Sequence, residues 1–159
     1  TMEFAQALSK VTDSDIFKDW EYADEAELSH GFIMPPTEEW QIGFYNKITD
    51  KVTTFAVTDE RVVMSEESEI LKEDHIVKAI DLKEVGIKYE EAREKAAEFL
   101  QEAGSVNKEF AVLQNLHGKG QVWNITFLTD AMKVVNVKVS SKDGEVIEDD
   151  VSSVFDFKV

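Results

Sequence analysis

Apolar and polar side chains alternate most cleanly in two stretches of this chain. In Glu39-Trp40-Gln41-Ile42-Gly43-Phe44-Tyr45-Asn46 and in Val122-Trp123-Asn124-Ile125-Thr126-Phe127-Leu128-Thr129, a Trp, an Ile and a Phe fall at every second position. Period-two spacing places all three on one face of an extended strand. The segments that follow also correspond to each other. Val52, Phe55 and Val57 lie in Lys51–Val57, and Val134, Val137 and Val139 lie in Lys133–Val139. Short polar turns at 47–50 and 130–132 separate each pair, which predicts two antiparallel hairpins. Each is followed by a further strand-like triplet, Arg61-Val62-Val63 and Glu145-Val146-Ile147. An acidic run and an apolar pair come next, Ile70-Leu71 in one case and Val154-Phe155 in the other. Asp143-Gly144 is a turn signal ahead of the second triplet. A strand is expected before each Trp strand, at 26–34 and 110–116.

Helical spacing occurs in two places. Tyr89, Ala92, Ala96, Phe99, Leu100 and Ala103 make one apolar face, with glutamates opposite and Gly104 placed to end the helix. Near the N-terminus, Phe4, Ala5, Leu8 and Val11 form a second face, and Ile16, Phe17 and Trp20 form another group beyond Asp13. A broken helical region over 2–20 is predicted, with Asp13 or Ser14 capping its second part. Ile76, Val77 and Ile80 mark the stretch between the two halves as packed. The fold class expected is therefore α+β, built as two repeated helix-plus-antiparallel-sheet units, one over residues 1–80 and one over 81–159. The central prediction is that Trp40 and Trp123 occupy equivalent strands, in sheets that stand apart or join edge to edge into one, with Trp123, Ile125, Phe127, Ala96, Phe99 and Leu100 buried together.

The helix with Glu90-Glu91-Ala92 and Ala96, the Trp123–Phe127 strand, and the strand pair ending in Asp143-Gly-Glu-Val-Ile147 together resemble the PepSY domain. The resemblance covers about residues 86–150, and a diverged version covers Trp40 to about Val63. It implies a cystatin-like arrangement, in which a helix is cradled by an antiparallel sheet. It also implies a role as a protease-inhibitory, regulatory or peptide-binding module. No catalytic residue transfers with it.

Charge narrows the partners. The chain has 33 acidic and 17 basic residues, a net charge of −16. Residues 1–80 carry 18 acids and 7 bases, against 15 and 10 in residues 81–159. Such a surface repels phosphate backbones and anionic lipid, so nucleic acid is not expected as a partner, whereas a basic polypeptide is attracted. No run of 18 apolar residues is present, so no membrane-spanning segment is expected. Without cysteine, disulfides and thiolate metal sites are excluded. Thr1 precedes Met2. If Met2 is the native start the protein is expected in the cytoplasm, and otherwise it is expected to be exported with a signal removed.

Reactive chemistry is sparse. His30, His75 and His117 are scattered, with no zinc-binding spacing, nucleophile elbow or phosphate loop. No catalytic residue, cofactor or metal is therefore expected. Asn124-Ile125-Thr126 matches a glycosylation sequon, but it lies within a predicted strand. Asp13 and Asp15 have the spacing of the first ligands of a calcium loop, yet Lys18 stands where that loop needs glycine. The acidic stretch reads first as a solvated face, and the sharper alternative is a docking face made of Asp13, Asp15, Asp19 and Asp24, with Trp20 and Tyr22 as contact residues. The function expected is a non-enzymatic binding or regulatory module. The alternatives are an accessory protein whose acidic N-terminal half binds a basic protein or cations, and a small enzyme with a pocket between helix and sheet.

Overall fold

The computed structural model describes residues 2–69 and 78–156. His75 and the apolar residues Ile70, Leu71, Ile76 and Val77 lie outside the described residues. Eight strands form one antiparallel sheet: β1 Glu27–Ile33, β2 Trp40–Asn46, β3 Lys51–Val57, β4 Val62–Met64, β5 Val106–Leu116, β6 Gly120–Thr129, β7 Lys133–Ser140 and β8 Val146–Ser153. Their order is β4-β3-β2-β1-β5-β6-β7-β8. Three helices, α1 Phe4–Asp13, α2 Asp15–Lys18 and α3 Tyr89–Ala97, pack on the sheet.

This corrects the expected fold class. The chain does not form two repeated helix-plus-sheet units of the cystatin kind. It is dominated by one continuous sheet with three short helices on it. The joint explains the difference. Strand β1 pairs antiparallel with β5 through Ile33–Ala111, Phe32–Val112, Gly31–Leu113 and His30–Gln114. Left apart, each strand would be an edge with unpaired backbone groups, and pairing satisfies them. It also merges the apolar faces. The Trp40 and Trp123 rings lie 6.1 Å apart, and Phe4 of α1 meets both edge-on. Gly31 makes room for Phe4, because a Cβ there would overlap the Phe4 ring.

The core is the face that carries the helices. Trp40, Ile42 and Phe44 of β2, Phe55 and Val57 of β3, and Trp123, Ile125 and Phe127 of β6 are all buried there. Both buried indole N–H groups donate to backbone carbonyls just ahead of a helix, Trp40 to Met2 at 2.8 Å and Trp123 to Ile87 at 3.3 Å. Ser14 caps α2 by accepting from the Phe17 N–H. Phe17 and Trp20 then pack on Phe44 and Phe55.

Helix α3 is shorter than its apolar spacing predicts. It ends at Ala97, and the chain tightens into turns in which Phe99 donates to Ala96, Leu100 to Ala97 and Ala103 to Leu100. Phe99 and Leu100 thereby reach the core as partly buried residues instead of lying on a helix face. A partly buried polar tie fixes α3 to the sheet. Arg93 grips Glu109 of β5 with both Nε and Nη2, at 2.8 and 2.9 Å, and the Tyr89 hydroxyl donates to the same carboxylate at 2.5 Å.

Candidate functional site

The helices leave the other face of the sheet uncovered among the described residues, and the strand registers give its composition. One row crosses all eight strands: Glu148, Lys138, Asn124, Val112, Phe32, Gln41, Ala56 and Val63. A parallel row holds Ser140, Val122, Gln114, His30, Gly43 and Thr54. Between β3 and β6 these rows contain no formal charge, although the chain carries 33 acids. Amides, hydroxyls, one imidazole and apolar groups make up these rows, most of them partly exposed, with Gly43 and Val122 buried.

Three features shape it. Phe32 and Phe110 lie side by side across the β1–β5 joint, with ring centroids 6.1 Å apart and a 35° tilt. Both are only partly buried. Next to them, Gln41, Thr54, Ala56, Val63 and Ser65 line a shallow hollow of about 350 Å³. Gly43 lacks the side chain that would fill the centre of this region, and the His30 ring lies over it, so a Cβ at position 43 would overlap the imidazole. Burial holds the His30 pKa below the usual histidine range, so the ring is neutral at physiological pH.

The third feature is a ladder of hydrogen bonds toward β8. The Lys138 ammonium donates to Asn136 Oδ1 at 2.7 Å, Asn136 Nδ2 to Asn124 Oδ1 at 2.7 Å, and Asn124 Nδ2 to Gln114 Oε1 at 3.0 Å. Asn136 Nδ2 also reaches Thr126 Oγ1 at 3.0 Å. Glu148 anchors the charged end, 3.1 Å from Lys138 and 3.0 Å from Lys119. Hydrogen bonds from these two lysines hold its carboxyl below the usual carboxylate range. Nothing in the sequence pattern pointed to this face. The alternation of β2 and β6 identified the buried side, and the residues between the buried ones read as ordinary surface.

The acidic residues singled out from sequence lie elsewhere. Asp13, Asp15, Asp19 and Asp24 are exposed around α2. Trp20 is half-buried, sharing the core with Phe17, Phe44 and Phe55, and Tyr22 meets its ring edge-on at 6.2 Å. The indole is therefore a packing residue beside the acids. No group of three or more His, Asp or Glu side chains suited to a metal occurs among the described residues. A wider hollow of about 660 Å³ lies against the solvent side of α1, lined by Met2, Ala5, Gln6, Ser9, Lys10 and Asp59. Of its lining only Lys10 and Asp59 are ionisable, and Lys10 donates to the Asp59 carbonyl. The space between helices and sheet is filled by Phe4, Trp40, Trp123 and Tyr89.

The fold has a counterpart among solved structures. It matches the crystal structure of a candidate lipoprotein from Clostridium difficile 630 with a TM-score of 0.64 and 16% identity, over 95% of this chain and 93% of that one. At that identity the likeness is one of fold. Neither the family models nor the curated proteins searched give a match to this chain. No helix among the described residues is long and apolar enough to cross a membrane.

Proposed function

We propose that this protein is a non-catalytic binding module that holds a polypeptide segment against the helix-free face of its sheet. The observation that carries the reading is the uncharged strip between β3 and β6 in a chain of net charge −16. Charged residues solvate a surface cheaply, so a strip without them, carrying a partly exposed Phe pair and side-chain amides, suits a partner that is desolvated on contact. Side-chain amides offer a donor and an acceptor together, which matches the groups of a peptide backbone. The PepSY resemblance of residues 86–150 agrees with a regulatory or inhibitory role. The lipoprotein description of the structural neighbour suggests display at a membrane surface for this chain too.

The acidic patch around α2 supports a second reading, in which a basic protein docks on Asp13, Asp15, Asp19 and Asp24. One experiment separates the two. Labelled protein is applied to an array of capped peptides at low and high salt, alongside a Phe32→Ser/Val63→Glu variant and a variant with those four aspartates changed to Asn. The helix-free face reading expects binding that survives salt and the Asn changes, and is lost in the face variant. Binding restricted to basic peptides, weakened by salt and abolished by the Asn changes, would transfer the function to α2.

A further inference from the structure

We infer that the Lys138–Asn136–Asn124–Gln114 ladder is a directional hydrogen-bond chain whose free end, the Gln114 side-chain NH₂, anchors a neutral carbonyl oxygen of the bound polypeptide. The inference rests on the binding reading above and adds the chemical group recognised. Its logic is one of constraint. An asparagine or glutamine amide can turn either end toward a neighbour, but a lysine ammonium only donates. Lys138, held by Glu148, therefore fixes Asn136 with its oxygen inward at 2.7 Å. The Asn136 nitrogen then faces Asn124, which must present its oxygen, again at 2.7 Å. Asn124 in turn offers its nitrogen, so Gln114 must accept through Oε1, at 3.0 Å. All three amides point one way, and the NH₂ of Gln114 is left over. Among the described residues no acceptor meets that nitrogen.

The position of the free end adds to the argument. Gln114 sits directly across from His30 on β1, in the uncharged strip and one row from Phe32. A chain of hydrogen bonds headed by a cation polarises each successive amide, so the last donor is stronger than an isolated glutamine. The ammonium itself is neutralised by Glu148 and stands three strands away from β1. The net charge of −16 repels anionic acceptors, which leaves an uncharged one such as a peptide carbonyl.

The test uses side-chain amide NMR of the full chain titrated with N-methylacetamide, a minimal peptide carbonyl. A substitution of Lys138 by Gln keeps a polar side chain but frees the ladder to reverse. N-methylacetamide is expected to shift the Gln114 NH₂ signals of the wild type. It should need about 3- to 10-fold higher concentration to do so in Lys138→Gln, where polarisation from the cation is gone. Lys138→Arg, which still only donates, should restore the wild-type response. Lys108→Met removes a cation from the same face of β5 outside the ladder, and should leave the titration unchanged. Equal titration of Gln114 in wild type and Lys138→Gln would overturn the inference, as would shifts at Phe32 and Gln41 with none at Gln114. Either result leaves the face itself a binding surface. Absence of any shift on the face, with peptides as well as N-methylacetamide, would remove both readings. A shift of Gln114 by a methyl glucoside and not by the amide would overturn the assignment of ligand class.

Discussion

Gly31 controls the centre of the molecule through the side chain it lacks. Phe4 occupies that space, wedged between the two indoles. Gly31→Ala is expected to destabilise the fold by about 1–3 kcal/mol, the usual cost of overpacking, because Phe4 is buried and packed edge-on against both indoles. Urea denaturation measures it, and Phe4→Leu in the same background should recover part of the loss. Glu109 provides a pH-dependent counterpart. Burial raises its carboxyl pKa, but hydrogen bonds from Arg93 and Tyr89 outweigh that, and the net shift is downward. A carboxylate whose folded pKa is depressed adds stability that is fully present above the unfolded value of about 4.3 and is lost as pH falls through the folded value. Glu109→Gln should therefore be clearly less stable than wild type at pH 7, and the gap should narrow progressively below about pH 4. A constant gap across that range would detach Glu109 from the acid response. Neither residue could have been ranked from sequence. Gly31 is one of seven glycines, and Glu109 is one of 33 acids, until the fold brings Phe4 and Arg93 against them.

Elements were legible where one face is buried and the other is wet. Strand β7 alternates strictly, β2, β3 and β6 do so apart from one extra buried residue each, Gly43, Val52 and Val122, and the positions of all four follow the alternation closely. Strand β8 was only partly legible. Its triplet Glu145–Ile147 was readable, but the strand runs on through Glu148, Asp149 and Asp150 to Ser153. Three consecutive acids carry no period-two signal, yet at a sheet edge they guard an open row of backbone groups against unwanted pairing. The pairing of β1 with β5 left no local trace at all, since the partners lie far apart in sequence. That pairing decided the fold class: an edge-to-edge join of the two halves was open from sequence, but nothing local selected it over two repeated units. The helix-free face was equally hidden, because its meaning comes from neighbours on other strands. The Trp strands were visible from the start. Trp123 is buried between Phe4, Tyr89 and Trp40, so Trp123→Ala is expected to cost about 3–5 kcal/mol through the cavity it leaves. A neutral effect on the denaturation midpoint would place the indole outside the cooperative core.

For the whole molecule, charge and topology divide the surface. Acids concentrate around α2, on the outer side of α3 and along β8, while the middle of the helix-free face stays uncharged, so solubility and recognition occupy different regions. The order of the strands has a kinetic consequence. Within β1–β4 and within β5–β8 every strand pairs with its neighbour in sequence, so each run is made of quick, local closures. The β1–β5 joint is the one long-range step: β1 ends at residue 33 and β5 begins at residue 106. During synthesis the first run emerges whole while β1 still has an open edge. In a concentrated solution of refolding chains, that edge can meet the β5 of another molecule as readily as its own. Refolding at rising protein concentration is therefore expected to yield an increasing share of dimers with exchanged halves, separable by size and slow to revert. Replacing Phe32 and Val112, which face each other across the joint, with a Lys–Glu pair should bias closure toward the chain's own partner only weakly, because both copies carry both charges. Tethering the joint with a Phe32→Cys/Val112→Cys disulfide formed at high dilution should suppress the dimer altogether.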